Sequence, residues 1–280
     1  AIGRSIIMTP FPISLRHRVT AKQLHLTDDE VAILLQHVGD LDPTIRDQTV
    51  YTLFARGFDE QALSLAQKQQ IQHFLFTQRS LFQQICQPEN DTVYLRSFTA
   101  LLTALVLDDD AQSPWLTPVA RSQFFTDALT YLPAERDTRG WVPGYGWAPP
   151  VAHGSDLLGA AWRHPQFPCE QSPQALAAIS HVFQNRQTPF LNDEEPRLAN
   201  ALVQAAAVQH LSQTELTDWL QATDIILWSD FSFTNLVASA RIHNWLSFCH
   251  HLYFLLPVET PVHHLLTELS EHYYQMNGYR

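Results

Sequence analysis

The chain has 280 residues, of which 45% are hydrophobic and 16% are charged, and its formal net charge at pH 7 is −11. This apolar content is sufficient for a sizeable core and excludes an intrinsically disordered chain. Because an acidic chain with only two lysines, Lys22 and Lys68, repels phosphate backbones, we expect no nucleic-acid partner.

The sequence favours a cytoplasmic protein without a membrane anchor. No apolar run approaches the roughly 20 residues that a membrane-spanning helix needs. Residues 1–13 lack an apolar stretch followed by a cleavage site, and we set them apart as an irregular N-terminal extension of a single domain spanning 1–280. The three cysteines, Cys86, Cys169 and Cys249, are far apart, and we expect them to be buried, reduced thiols.

Signals for helix starts recur along the chain. Thr27 to Glu30 and Ser212 to Glu215 fit the capping box, in which a hydroxyl accepts from a backbone N–H and the glutamate reaches back. Elsewhere a capping side chain precedes a proline, which suits the first helical position because that position needs no N–H. These places are Asp42-Pro43, Thr117-Pro118, Ser172-Pro173 and Thr260-Pro261.

Apolar residues at helical spacing follow these signals, and alternating runs typical of strands are nearly absent. We predict helix starts near positions 28, 43, 64, 91, 117, 148, 172, 195, 212, 232 and 260. The mean step of about 23 residues gives a helix pair about every 46, the period of HEAT-type arrays. Since a lone pair cannot bury its apolar stripe, we predict an all-α fold, an α-α superhelix of HEAT-like antiparallel helix pairs.

Two stretches match the D-x-D-P-x-V-R pattern of a HEAT repeat, residues 40–53 and, less fully, residues 90–98. In that pattern the aspartate, here Asp42 or Asp91, caps a helix. The arginine, here Arg46 or Arg96, pairs with an acidic group of the next repeat. These roles use up the polar groups, so we expect all four side chains to be structural.

Two acidic runs also receive a structural interpretation. Asp108-Asp109-Asp110 follows an apolar helix, and acids are unfavourable in the last turn of a helix. We therefore expect the helix to end before them and the three aspartates to lie in a solvated loop. Asp193-Glu194-Glu195, followed by Arg197, opens a helix, where acidic residues suit the helix dipole.

The segment 137–158, DTRGWVPGYGWAPPVAHGSDLL, departs most from the helical pattern. It holds four of the nine glycines and two of the seven tryptophans of the chain, and such departures often carry function. His153 and Asp156 are three residues apart and share one face of the predicted helix. We expect Asp137 and Arg139 to fold back over that face and to lie beside Trp147, with loop 140–146 covering the start of the helix.

Three interpretations of this segment stay open. The first is a polar cluster that pins the loop, with the arginine paired to an aspartate and the histidine bonded to a backbone carbonyl. The second is a binding site for a small anionic or peptide ligand, with aromatic walls and a forked arginine donor. The third is a hydrolytic site in which His153 is the base and Asp156 its orienter. The candidate ligand-binding residues are Asp137, Arg139, Trp141, Tyr145, Trp147, His153 and Asp156.

No standard zinc motif fits the spacing of these side chains, and we expect neither a metal nor another cofactor. The leading functional expectation is an interaction scaffold that binds a protein or peptide partner, since an acidic concave face selects a basic segment. The alternative is a hydrolase or a small-ligand-binding protein that uses Asp137, Arg139, His153 and Asp156. The sequence does not determine an oligomeric state.

Five blocks in order carry a family resemblance. They are Asp42-Pro43 with Arg46-Asp47 and Tyr51; Asp91 with Arg96-Ser97-Phe98 and Leu101-Leu102; Asp137-x-Arg139-Gly140 through Gly146-Trp147-Ala148 to Ala152-His153-Gly154-x-Asp156-Leu157-Leu158; Glu195 with Arg197-Leu198-Ala199; and Asn244-x-Leu246 with Leu252-Tyr253-Phe254. The chain thereby resembles the bacterial DUF2785 family of uncharacterised proteins. The resemblance implies an all-helical, HEAT-like fold and no established activity. In the family the third block usually reads G-W-A-H-x-x-A-H, and here Pro149 stands in place of its first histidine.

Overall fold

The computed structural model describes residues 11–279, and within this range the fold is all-α, as predicted. The helices are α1 (Ile13–Arg18), α2 (Asp28–Gln36), α3 (Pro43–Ile45), α4 (Thr52–Asp59), α5 (Leu65–Gln78), α6 (Thr92–Gln112), α7 (Pro118–Ala134), α8 (Pro150–Trp162), α9 (Ser172–Asn185), α10 (Glu194–Ala207), α11 (Gln213–Ser229), α12 (Leu236–Leu255) and α13 (Pro261–Met276).

Three short helical turns and one small hairpin complete the structure. A π-helical turn, Arg46–Tyr51, joins α3 to α4, and 3₁₀ turns occupy Ser80–Phe82 and Cys169–Gln171. The strands β1 (Trp141–Val142) and β2 (Gly146–Trp147) form an antiparallel pair. Residues 1–10 of the predicted N-terminal extension lie outside the described residues, and Ile13, its last residue, begins α1. No helix within 11–279 is both long and apolar enough to cross a bilayer.

The predicted helix starts are confirmed to within a few residues, because local capping determines them. Thr27 and Ser212 each form the full capping box that their sequences indicate. Asp42, Thr117 and Thr260 each accept a backbone N–H ahead of a proline. A third capping box was missed, because its closing residue is glutamine: Ser64 with Gln67 at the start of α5.

Two predicted caps are wrong. Asn90 replaces Asp91 at the start of α6, where its side-chain oxygen accepts from the Thr92 amide at 3.0 Å. Ser172 is the first residue of α9 rather than its cap. Its hydroxyl accepts from the Trp162 indole at 2.9 Å and donates to the His210 carbonyl at 2.6 Å. A buried tertiary contact therefore takes the place of the local one.

The prediction of a solvated loop at Asp108-Asp109-Asp110 is also wrong. α6 continues to Gln112, and Asp109 and Asp110 are buried. Asp110 bonds His164, the Arg121 guanidinium and the amides of two residues that follow the helix. Against the effect of burial, these partners, His164 first, hold the pKa of its carboxyl well below the ordinary value. Asp109 pairs with Lys68 at 2.7 Å. Cations that are distant in sequence thus offset the unfavourable interaction of these aspartates with the C-terminal end of the helix dipole.

Alternate helices contact one another and build two layers. The even-numbered helices α4, α6, α8, α10 and α12 each pack against the next, and the odd-numbered helices α5, α7, α9, α11 and α13 do the same. One continuous apolar core extends from Leu15 to Leu266. Such an arrangement buries the stripe of every helix against neighbours in both layers. The superhelical path and the HEAT-like repeat remain predictions.

The three cysteines do not share the environment that we expected. All three are free thiols, but only Cys249 is buried, whereas Cys86 and Cys169 are exposed. Burial raises the pKa of the Cys249 thiol well above its ordinary value, so this sulfur stays protonated within the core. Cys86 and Cys169 lie in the segments between helices, where the apolar periodicity that indicates burial is absent.

Candidate functional site

The glycine- and tryptophan-rich loop of segment 137–158 forms a β-hairpin in front of α8. Trp141 pairs with Trp147 across the hairpin, and their rings meet edge to face with centroids 5.2 Å apart. Gly144 and Gly146 have φ values of 82° and 76°, a left-handed conformation that glycine adopts without steric cost. The glycines therefore allow the tight turn that brings the two indoles together.

A buried arginine that lies 99 residues before Tyr145 in the sequence anchors this hairpin. Arg46 donates to the Tyr145 carbonyl at 2.7 Å and to the Trp147 carbonyl at 3.3 Å. Its guanidinium lies 4.4 Å from the centre of the Tyr94 ring. We predicted a structural role for Arg46 with an acidic partner in the next repeat. The role is structural, but the long-range partners are backbone carbonyls, and within residues 11–279 the only carboxylate that pairs with Arg46 is that of its neighbour Asp47, at 3.5 Å.

Asp137 and Arg139 form a closed pair at the loop end of the segment. Asp137 is fully buried and accepts from the Arg139 amide at 3.0 Å and from its guanidinium at 2.7 Å. Arg139 also donates to the Asn90 carbonyl at 2.9 Å, just before α6. The pair thus fastens the loop to α6, and its hydrogen-bonding groups are largely occupied.

A second buried ion pair, Arg96 with Glu135, lies next to the Asp137–Arg139 pair, since Glu135 also accepts from the Asp137 amide. Arg96 is fully buried and forms a forked pair with Glu135, with N–O distances of 2.7 and 2.8 Å. The Tyr131 hydroxyl donates to the same carboxylate at 3.1 Å. Arg96 therefore has the acidic partner in the following helix region that the repeat pattern predicts. Forked pairs of this kind fix orientation as well as charge.

His153 lies on the first turns of α8 and is 7% exposed. Its Nδ1 donates to the Ser97 carbonyl at 3.1 Å, and its ring meets Phe98 edge to face at 4.9 Å. Burial, helped by the nearby cation Arg197, lowers the pKa of His153 to about 3, so the imidazole is neutral at physiological pH. With the proton on Nδ1, Nε2 is left as an acceptor that has no hydrogen-bond partner among residues 11–279.

Asp156 faces α10 and pairs with Arg197 instead of with His153. Burial raises the pKa of Asp156, and the Arg197 charge opposes the rise. The predicted catalytic pair, with Asp156 as orienter of His153, is therefore not formed, and Ser97 orients the imidazole. A base with a pKa near 3 accepts protons poorly at neutral pH. The arrangement is accordingly better suited to holding a ligand than to removing a proton.

His153 and Asp156 lie on the wall of a cleft that crosses the even-numbered layer, which we call the α8 cleft. It consists of two adjoining cavities of about 350 and 200 Å³, which share Tyr51 and Leu101 as well as Asp156 and Arg197. The remaining lining residues are Asp47, Phe98, Trp147, Pro149, Ala152, His153, Asn192 and Asp193 in the larger cavity, and Ala104, Leu105, Asp108, Ser155, Arg163, Asn200, Ala201 and Gln204 in the smaller one.

Ionisable side chains of the α8 cleft have perturbed pKa values. Burial raises the pKa of Asp47, of Asp108 and of the Tyr51 phenol, and in each case a neighbouring arginine partly opposes the rise. Arg163 pairs with Asp108 and donates to Gln204. Groups perturbed by desolvation and gathered in one cleft are typical of functional sites, although structural ion pairs produce the same pattern. Within residues 11–279, no three His, Cys, Asp or Glu side chains are arranged to hold a metal ion.

The family comparison agrees with the resemblance of the sequence blocks. The model of the family described as "Protein of unknown function (DUF2785)" matches residues 81–254, more than half of the chain. The chain belongs to this family. No curated protein and no solved structure matched the chain.

The DUF2785 match covers α6, α8 and α10, which form most of the α8 cleft. It does not cover the π-helical turn Arg46–Tyr51, which contributes Asp47 and Tyr51 to the cleft. Pro149, where the resemblance leads us to expect a histidine, lines the larger cavity close to His153. Position 149, where the resemblance predicts a histidine, therefore lies in the α8 cleft and not beside the Asp137–Arg139 pair.

The structure divides the predicted site residues into two groups. Trp147, His153 and Asp156 line the α8 cleft, whereas Asp137 and Arg139 form the closed pair, and no hydrogen bond or ion pair within 11–279 joins the two groups. Hydrogen bonds and ion pairs within this range therefore do not join the five predicted residues into one network, and their proximity in space stays a prediction. Trp141 and Tyr145 lie on the hairpin outside the cleft. The residues that sequence reasoning missed as site residues are Asp47, Tyr51, Asp108, Arg163 and Arg197.

Proposed function

We propose that this DUF2785 protein binds a protein or peptide partner and that the α8 cleft receives a positively charged side chain of that partner. The excess of carboxylates on the cleft wall carries the proposal, since four aspartates and two arginines line it. The two arginines are matched by Asp108 and Asp156. Asp193 has no ion-pair partner within 11–279, and the charge beside Asp47, that of Arg46, is shared with four carbonyl oxygens.

The uncharged walls of the cleft also suit a cation. Tyr51, Phe98 and Trp147 line the larger cavity, and aromatic faces attract ammonium and guanidinium groups. His153 is neutral and offers Nε2 as an acceptor for an N–H donor. Carboxylates, aromatic rings and a neutral acceptor around one cavity form a set that a lysine or arginine side chain satisfies and that an anion does not.

A peptide or protein partner is favoured over a free small molecule by the form of the cleft. The two cavities adjoin along α6, α8 and α10, so an extended segment can occupy one with a side chain and continue past the other. Sites built on packed helices hold their side chains in fixed positions, which lowers the entropy cost of binding. The net charge of −11 adds long-range attraction for a basic segment.

Calorimetric titration with N-acetyl-arginine amide, a minimal model of the side chain, tests the proposal. We expect saturable binding that weakens by about tenfold in Asp193→Asn, since this variant removes a carboxylate of the cleft that has no ion-pair partner within 11–279. The neutral analogue N-acetyl-citrulline amide should bind at least about tenfold more weakly than the arginine compound, since the charge-assisted contact is lost.

Asp218→Asn is the matched control for this titration. It removes one negative charge from the exposed face of α11, away from the cleft, so it changes the net charge equally. We expect its affinity to stay within about twofold of the wild type, since distant exposed charges are screened. The proposal is contradicted if neither compound binds, if citrulline binds as well as arginine, or if both variants weaken binding alike.

A further inference from the structure

A second cavity lies on the other layer of the molecule, between α7 and α9. It has a volume of about 490 Å³, within the range typical of small-molecule sites. Its wall is built from residues 135–138 after α7, Val151 of α8, the end of α9 and the loop 186–190, and we call it the α7–α9 groove. It shares no lining residue with the α8 cleft.

The arginines of this groove differ from those elsewhere in the chain. Nearly every other lysine or arginine within 11–279 forms an ion pair with a carboxylate. The exceptions are Lys22, Arg136, Arg186 and Arg241. Arg136 and Arg186 line the groove, and Arg241 adjoins it by donating to the Arg186 carbonyl at 3.0 Å. Three arginines that form no ion pair within the described part of this acidic chain thus lie close together.

Hydrogen-bond donors remain available around the groove. Arg186 donates to the carbonyls of Thr138, Thr188 and Pro189 at 2.9 to 3.1 Å, which fixes its position and leaves further N–H groups. The guanidinium of Arg136 is exposed and makes no hydrogen bond within the described residues. The hydroxyls of Thr138 and Thr188, both lining residues, are likewise without partners among residues 11–279.

The carboxylates near the groove do not cancel these cations. Glu135 also lines it, but both of its oxygens are held by the forked pair with Arg96. Glu89 is exposed at the rim, and Glu194 and Glu195 act on Arg186 only through space. Burial lowers the pKa of His181, and the Arg136 charge adds to this, so the imidazole is neutral at physiological pH.

We infer that the α7–α9 groove binds a compact, multiply charged anion, a small molecule that carries a phosphate or paired carboxylates. Forked guanidinium donors match the oxygens of both groups, and the threonine hydroxyls supply further donors. The groove presents the opposite charge preference from the α8 cleft, on the other helix layer. This second site is independent of the proposed function.

Calorimetric titration with inorganic phosphate and with succinate, at low ionic strength, tests the inference. We expect at least one of the two anions to bind, and the stronger of them identifies the ligand as phosphorylated or dicarboxylic. Arg136→Gln should weaken binding by about tenfold, because it removes an unpaired charge-assisted donor. This variant should fold normally, since Arg136 is exposed and its guanidinium has no hydrogen bond to lose.

Lys22→Gln is the matched control, because Lys22 is also exposed and unpaired but lies outside the groove. Its affinity for the anion should stay within about twofold of the wild type. As a second readout, the pKa of His181 measured by NMR should rise when the anion saturates the groove, since a nearby negative charge favours the imidazolium. The inference is overturned if neither anion binds, if both variants weaken binding equally, or if the His181 pKa does not rise at saturation.

Discussion

The two ends of segment 137–158 differ in how fully their polar groups are satisfied. At the loop end, Asp137 accepts four hydrogen bonds from Arg139, and Arg139 also donates to the backbone carbonyl of Asn90. At the helix end, His153 uses one ring nitrogen and leaves the other without a partner in the described chain, beside a cleft. One stretch of sequence therefore holds a structural ion pair and a candidate binding site. The fraction of polar groups that already have hydrogen-bond partners distinguishes the two better than the residue types do.

The largest effect on the free energy of unfolding is expected at the buried ion pair of Arg96 and Glu135, next to the Asp137–Arg139 pair. Arg96→Met removes one partner and leaves the carboxylate uncompensated in the core. We expect the free energy of unfolding to fall by about 3–5 kcal/mol, the usual cost of breaking a buried pair on one side. Urea denaturation measures this loss, and a fall below about 1 kcal/mol, the value of an exposed pair, would show that the pair is not closed.

A smaller loss is expected for the closed pair itself. Asp137→Asn keeps the shape of the side chain but weakens its bonds to the guanidinium and to the amide of Arg139. Because the amide NH2 group of asparagine then faces N–H donors of Arg139 that lose their acceptor, the free energy of unfolding should fall by about 1–3 kcal/mol, again by urea denaturation. Binding of N-acetyl-arginine amide should be unchanged. A loss of binding with unchanged stability would place Asp137 in the site and contradict the comparison.

His153 predicts a pH dependence of stability. Its pKa is about 3 in the folded state and near 6.5 when unfolded, so between these values the unfolded chain binds the extra proton. Stability should therefore fall as the pH falls from 6.5 towards 3, with a slope of up to about 1.4 kcal/mol per pH unit from this residue.

His153→Gln keeps a donor for the Ser97 carbonyl and removes the titration. The difference in unfolding free energy between the two proteins, followed from pH 7 to about 4.5, isolates the imidazole because the other groups cancel to first order. The wild type should lose stability relative to the variant over this interval. Parallel curves would show that His153 is protonated as easily in the folded state as in the unfolded chain.

The smallest effect on stability is expected for Asp156→Asn. The Asp156–Arg197 pair is partly exposed, and burial raises the pKa of this carboxyl, so ionised Asp156 adds little to the fold. We expect the free energy of unfolding to change by less than about 1 kcal/mol, in contrast to Asp137→Asn. If Asp156→Asn lowers the free energy of unfolding as much as Asp137→Asn does in the same urea titration, the two ends of segment 137–158 do not differ as we describe.

Local chemistry made the helix starts predictable. A capping side chain such as Thr27 acts within three residues, so its effect is visible in the sequence. Asp110 shows the limit, because its partners Arg121 and His164 lie in later helical regions and reverse the local expectation that the helix ends before it. Local rules therefore predicted the helix starts but not the buried partners of Asp110.

The candidate site was only partly predictable for the same reason. His153 and Asp156 were found because they share one helix face, but Tyr51 and Arg197 reach the cleft from helical segments far along the chain. Arg197 was interpreted as part of a charged helix start, and only the packing of α10 against α8 shows that it meets Asp156. The sequence blocks that resemble DUF2785 include Tyr51 and Arg197, and these blocks are the signal in the sequence that points to the two residues.

The open and closed ends of the segment can be compared directly by NMR while N-acetyl-arginine amide is added. We expect the Nε2 resonance of His153 to move in proportion to saturation, because this nitrogen gains a hydrogen-bond donor. The Nε–H resonance of Arg139, which is held by Asp137, should stay in place. Saturation that leaves His153 unmoved, or that shifts Arg139 instead, would contradict the account.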